Sequence, residues 1–140
     1  MGIPLPMEPT PENIPLLADY AVRMARDVSG IDLDYTPASL KHVDQIIDSV
    51  RGGAESEAMN SLVYFMGCYA GEVIIRNTTG SVWHSGPNDA LPMVHIKQGE
   101  MTGMINPIGK AFKLFDKGLE DSLDTLYKAL QHKLEKGFDQ

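Results

Sequence analysis

The sequence predicts an α+β domain in which about five helices pack around a buried central helix, beside a small antiparallel sheet of two or three strands. Three features of the chain predict it. Residues 54–76 read as one helix with apolar side chains on every side, amphipathic stripes at helical spacing flank it, and short β-rich runs separated by turn formers lie near residues 81–105. A length of 140 residues suits a single core, and 43% hydrophobic with 22% charged residues is close to globular averages.

At the N-terminus, Pro4, Pro6, Pro9 and Pro11 remove backbone donors and favour an extended arm over residues 1–12, mobile or laid across the surface. A single domain over 13–140 follows. Leu17, Ala21, Met24, Ala25 and Val28 share one helical face, with Gly30 as the stop. Residues 31–35 alternate Ile31, Leu33 and Tyr35 with Asp32 and Asp34, which fits a short strand or an extended connection. Thr36 and Pro37 then make a cap-plus-proline start to a second helix, whose stripe of Leu40, Val43, Ile46, Ile47 and Val50 closes at Gly52 and Gly53.

The central helix is expected to begin near Ala54 and to run to about Arg76. After a turn at 78–80, residues 81–85 and 91–98 form a hairpin across Gly86, Pro87, Asn88 and Asp89, and residues 101–105 add a third short strand. Asn106 and Pro107 repeat the helix-start signal, and that fourth helix ends at Gly118. Leu119, Leu123, Leu126, Tyr127, Leu130 and Leu134 mark a fifth.

Nineteen acidic residues against twelve basic ones give a net charge of −7, a field that repels phosphate backbones and anionic lipid. Nucleic acid and membrane are therefore not the expected partners. Residues 108–140 carry six basic and six acidic side chains, so the whole excess belongs to residues 1–107, where a basic partner would approach. The lone Cys68 forms no internal disulfide, and the proline-broken N-terminus lacks a basic n-region, so a cytoplasmic setting is expected. The longest nearly apolar run, 61–75, is shorter than the roughly twenty residues of a bilayer span.

Chemistry is concentrated around Gly67, Tyr69, Gly71 and Glu72. Two glycines four apart lie on one helix face at a cost of about 1 kcal/mol each relative to alanine. Close packing of a neighbour explains them most simply, and a ligand cavity beside Glu72 is the alternative. Glu72 is the sole charge between Glu57 and Arg76, so it must be paired, hydrogen-bonded or neutralised. Arg76, at i+4, offers a structural ion pair, whereas a functional reading makes Glu72 an acid, base or ligand anchor. On the first strand Trp83 and His84 point to opposite faces. If Trp83 packs inward with Val94 and Ile96, His84 and His95 project outward together, too few for a metal site, which takes three or four ligands. No phosphate loop, nucleophile elbow, metalloprotease helix or C-x-x-C pair occurs, so no cofactor and no catalytic set is expected.

The order Ser39-Leu40 with Val43, Asp44, Ile46 and Ile47, then Gly67-x-Tyr69-x-Gly71-Glu72-Val73, then Trp83, then Ile105-Asn106-Pro107, resembles a loose group of small uncharacterised bacterial α+β proteins over about residues 36–130. The resemblance implies a small α+β domain in a bacterial, cytoplasmic setting and brings no activity with it.

Two functional classes follow. The first is a non-enzymatic binding or interaction module, regulatory or toxin-neutralising, taking a basic protein partner on Asp32, Asp34, Asp44 and Asp48, which crowd the first two helices and their connection. The second is a small-molecule binder or enzyme with a pocket between the central helix and the hairpin, built from Tyr69, Glu72, Trp83 and Lys97.

Overall fold

The computed structural model describes residues 3–53, 56–86 and 91–136. Five α-helices, α1 (Ile14–Ser29), α2 (Leu40–Val50), α3 (Glu57–Asn77), α4 (Pro107–Lys117) and α5 (Leu123–Lys136), combine with three strands, β1 (Ser81–His84), β2 (Met93–Gln98) and β3 (Met101–Ile105). This is the α+β architecture expected, with α3 at its centre. Leu62 through Ile74 of α3 are all buried, surrounded by Leu17 and Ala21 of α1, Val43 and Ile47 of α2, and Ile108 and Leu114 of α4. By length and hydropathy α3 could cross a membrane, but 72% of its most apolar window is buried inside this fold.

Capping chemistry sets the helix boundaries. Gly30 ends α1 in the left-handed conformation, its N–H bonded back to Arg26. Ser56 starts α3 by accepting from the Met59 N–H at 3.2 Å, while the expected start near Ala54 lies outside the described residues. Asn106 caps α4 as expected, its Oδ1 accepting from the Gly109 N–H at 2.9 Å. The parallel expectation for Thr36 is corrected: residues Pro37–Ser39 form a 3-10 turn, α2 begins at Leu40, and the Thr36 hydroxyl donates to Asp34 at 2.6 Å instead of capping. The fifth helix also starts later than its apolar stripe suggests. Leu119 sits exposed in a 3-10 turn, and α5 begins at Leu123 behind Ser122, whose Oγ accepts from the Thr125 N–H at 3.1 Å.

The sheet has the order β1-β2-β3 and is antiparallel throughout, with Trp83 opposite Val94 and Val94 opposite Ile105. The hairpin loop at 87–90 lies outside the described residues. Those three side chains share the inner face, where Val94 and Ile96 meet Ile74 of α3 and Leu130 of α5. The outer face carries Val82, His95 and Met104 in one row across the strands. Residues 31–35 are a connection rather than a strand. The proline arm is laid across the surface: Ile3, Leu5 and Met7 pack on the core, and the Ser61 hydroxyl of α3 donates to the Pro4 carbonyl at 2.7 Å.

Candidate functional site

The centre of α3 holds the one carboxylate of that helix interior, and Glu72 is 5% exposed. Such a group requires donors, and two arrive. The Trp83 indole N–H of β1 donates to Oε2 at 2.8 Å, and Arg76, one helical turn onward, donates its Nε–H to Oε1 at 3.4 Å. The indole comes this close because Gly71 has no side chain: a Cβ there would collide with the Cζ2 and Cη2 edge of Trp83 and stand 3.1 Å from Pro107 Cγ. One turn earlier, a Cβ on Gly67 would lie 2.6 Å from the Ile108 Cα of α4. Both glycines thus serve close approach, and the space over Gly71 is filled by an aromatic ring of the chain itself. Gly71→Ala is expected to cost about 1–3 kcal/mol through overpacking. Denaturant titration checks it, with a shift in the emission of Trp83, the chain's single tryptophan.

Arg76 extends the constellation outward. Its guanidinium carbon stands 3.6 Å from the centroid of the Tyr35 ring, a cation–π contact, and the Tyr35 hydroxyl donates to Asp19 at 2.7 Å. Tyr35 has φ of 62°, a left-handed conformation that a bulky residue adopts only when held. It is held at every polar atom of its backbone: the Tyr69 hydroxyl accepts from its N–H at 2.8 Å and Asn77 donates to its carbonyl at 3.1 Å. The Tyr69 hydroxyl also lies 2.6 Å from Ser39 Oγ, which donates to the Thr36 carbonyl. Because the serine proton is committed to Thr36, Tyr69 is the donor to Ser39, and the four groups form one directional chain. Burial pushes the Tyr69 hydroxyl above its ordinary value. Burial and then the bond to Asp19 do the same for Tyr35, so both phenols are neutral hydrogen-bond donors.

Tyr69, Glu72 and Trp83 are therefore brought together around α3, with Tyr69 fully buried, but as parts of the packing. Lys97 is not with them. It is exposed on the outer face of β2, and because side chains alternate across a strand, the sheet stands between it and Glu72. Burial raises the Cys68 thiol above its ordinary range, so it behaves as a small core hydrophobe. His84 and His95 do meet on the outer face, with ring centroids 6.3 Å apart. Among the described residues, no group of three or more potential metal ligands occurs.

The acidic quartet divides. Asp44 is buried and does not belong to a surface: it accepts from the Ser122 hydroxyl at 2.6 Å and from the Leu123 and Asp124 N–H groups at 2.7 and 3.2 Å, closing the N-terminus of α5. Asp32 is exposed and ion-paired to Arg26 at 3.0 Å. Asp34 is exposed, and bonds from Thr36 lower its carboxyl below the ordinary value. Asp48 is half-buried and 4.0 Å from Arg51. For Asp44, burial raises the carboxyl above its ordinary 3.8, against the pull of its three donors. The folded state then holds the proton more tightly than the unfolded chain, so this carboxyl's contribution to stability falls as pH rises from about 4 through its folded value. The stability difference between the parent and Asp44→Asn is expected to narrow over that range, read by urea denaturation at several pH values.

Residues 10–114 match the family described as a family of unknown function, DUF6278. The chain belongs to this family. The match takes in α1, the whole of the Tyr35–Tyr69–Glu72–Trp83 constellation and the sheet, and stops within α4. Among solved structures, a crystal structure from Bacteroides thetaiotaomicron VPI-5482 is similar to this chain at 19% identity with a TM-score of 0.64. The similarity covers 86% of this chain and 44% of that one, so the DUF6278 chain spans less than half of that protein's length and shares its fold. No match is found among curated proteins.

Proposed function

We propose that this DUF6278 protein is a non-enzymatic binding module, regulatory or toxin-neutralising, whose buried polar constellation supports the fold and whose partner meets its surface. The engagement of both Glu72 oxygens, by Trp83 and Arg76, carries this reading. An acid or base needs a carboxyl oxygen within reach of a reacting group, and here the indole occupies the approach over Gly71. The alternative pocket between α3 and the hairpin loses Lys97 to the opposite face of the sheet.

The charge excess on residues 1–107 suits a basic protein partner. With Asp44 committed to α5, Asp32, Asp34 and Asp48 are the members of the acidic quartet left for such a partner. A thermal-shift screen against metabolites and metal salts separates the two classes. Stabilisation by a small molecule that Glu72→Gln abolishes would overturn the module reading. For a partner captured on the protein, association should slow between low and physiological salt, and slow again in a variant carrying asparagine at positions 32, 34 and 48. Equal rates for parent and variant at low salt would remove this face from consideration.

A further inference from the structure

Among the described residues β3 is an edge strand, paired to β2 on one side only. Beyond its ladder to β2, the backbone of Met101–Ile105 makes no other backbone hydrogen bond among the described residues. Such an edge is a template for another strand. Beside it, between β3 and α5, runs a groove of about 170 Å³ floored by Ile96, Ile105, Leu126 and Leu130. Gly103 lies in its wall. That residue faces inward opposite buried Ile96, and with no side chain it adds nothing to fill the groove at that point.

The groove continues past Ile105 and Leu126 into a second hollow of about 230 Å³ lined by Lys110 and Lys113 of α4. Lys133 of α5 stands at the first. Lys110 is paired with Asp121 at 2.9 Å, whereas Lys113 and Lys133 are exposed and, among the described residues, make no salt bridge. On a chain of net charge −7, this is an apolar trough with a cationic rim.

We infer that the free edge of β3 and this groove bind an extended segment of a partner protein whose apolar side chains are flanked by carboxylates. Its backbone adds a fourth strand to the sheet through β3. Alternate side chains enter the groove over Ile96 and Leu130, and the flanking carboxylates meet Lys113 and Lys133. Main-chain bonds supply affinity in this mode, while the pockets and charges supply selectivity. The site is independent of the acidic α1–α2 face: it lies on other elements and takes the opposite charge.

The test is selection of random displayed heptapeptides on the full chain. Enriched peptides should carry Asp or Glu around apolar residues and lack central proline. One such peptide, synthesised, should bind the Lys113→Glu, Lys133→Glu double variant about tenfold or more weakly than the parent. Both positions are exposed, so the variant keeps the fold. The amides of Met101–Ile105 should exchange more slowly when the peptide is bound, which distinguishes strand addition from charge attraction alone. Failure to enrich any peptide, equal binding by parent and double variant, or unchanged exchange along β3 would overturn the proposal. Binding of decanoate in the groove with no peptide bound would overturn it in favour of a small amphipathic carboxylate. None of these outcomes bears on the Asp32, Asp34, Asp48 variant, so the two surfaces fail separately.

Discussion

Replacing Trp83 by alanine is expected to destabilise the fold by about 3–5 kcal/mol, near the top of the range for single truncations. Three losses coincide at this position. The indole fills the space that Gly71 leaves open, so its removal opens a cavity against α3. It joins the helical core to the smaller cluster of Ile74, Val94, Ile96 and Leu130, packing against both. Its N–H is also the nearer of the two donors to Glu72, and a buried carboxylate left with Arg76 alone is poorly compensated. Urea denaturation followed by far-ultraviolet circular dichroism measures the loss. Trp83→Phe retains most of the ring packing and should cost less, about 1.5–3 kcal/mol for a bond to a charged acceptor.

Tyr69→Ala should have an effect of similar size, about 3–5 kcal/mol. The ring is fully buried and lies against Tyr35, with centroids 4.7 Å apart. Tyr69→Phe isolates the polar part of the effect. It leaves the Tyr35 N–H without its acceptor and Ser39 without its donor, and an unsatisfied buried group costs about 1–3 kcal/mol. The left-handed backbone at Tyr35 should then relax first. Amide exchange is the measurement: in Tyr69→Phe, protection should fall at Tyr35 and along the Pro37–Ser39 turn before it falls in α3.

The contrast between Thr36 and Asn106 shows how far sequence patterns reach. Both precede a proline and both are good caps, yet only Asn106 caps its helix, because Thr36 has Asp34 two residues back as a competing acceptor. The central helix was readable from its all-round apolar character, and the inward face of Trp83 from strand alternation. The Gly67 and Gly71 pair was readable as close packing, although what approaches them, Ile108 and Trp83, depends on tertiary placement. Asp44 was misread for a related reason. It lies next to Val43 on an amphipathic helix and looks like a solvent residue, but its donors are 78 to 80 residues away in the sequence. Nothing local marks Tyr35 as left-handed. Its conformation follows from Tyr69, Asn77, Asp19 and Arg76 together, and long-range contacts of that kind leave no periodicity to read. In the same way, the groove beside β3 is set by where α5 packs against the inner face of the sheet, which nothing local in either segment records.

The most direct test of the structural role assigned to Glu72 is a double-mutant cycle in equilibrium urea denaturation with Glu72→Leu, Trp83→Phe and the pair. Each single change leaves one buried polar group without its partner, and the double change removes both. A structural clamp predicts that both singles destabilise and that they couple by about 1.5–3 kcal/mol. A coupling near zero, with Glu72→Leu more stable than the parent, would contradict it and mark Glu72 as a carboxylate held at the expense of stability for some other task.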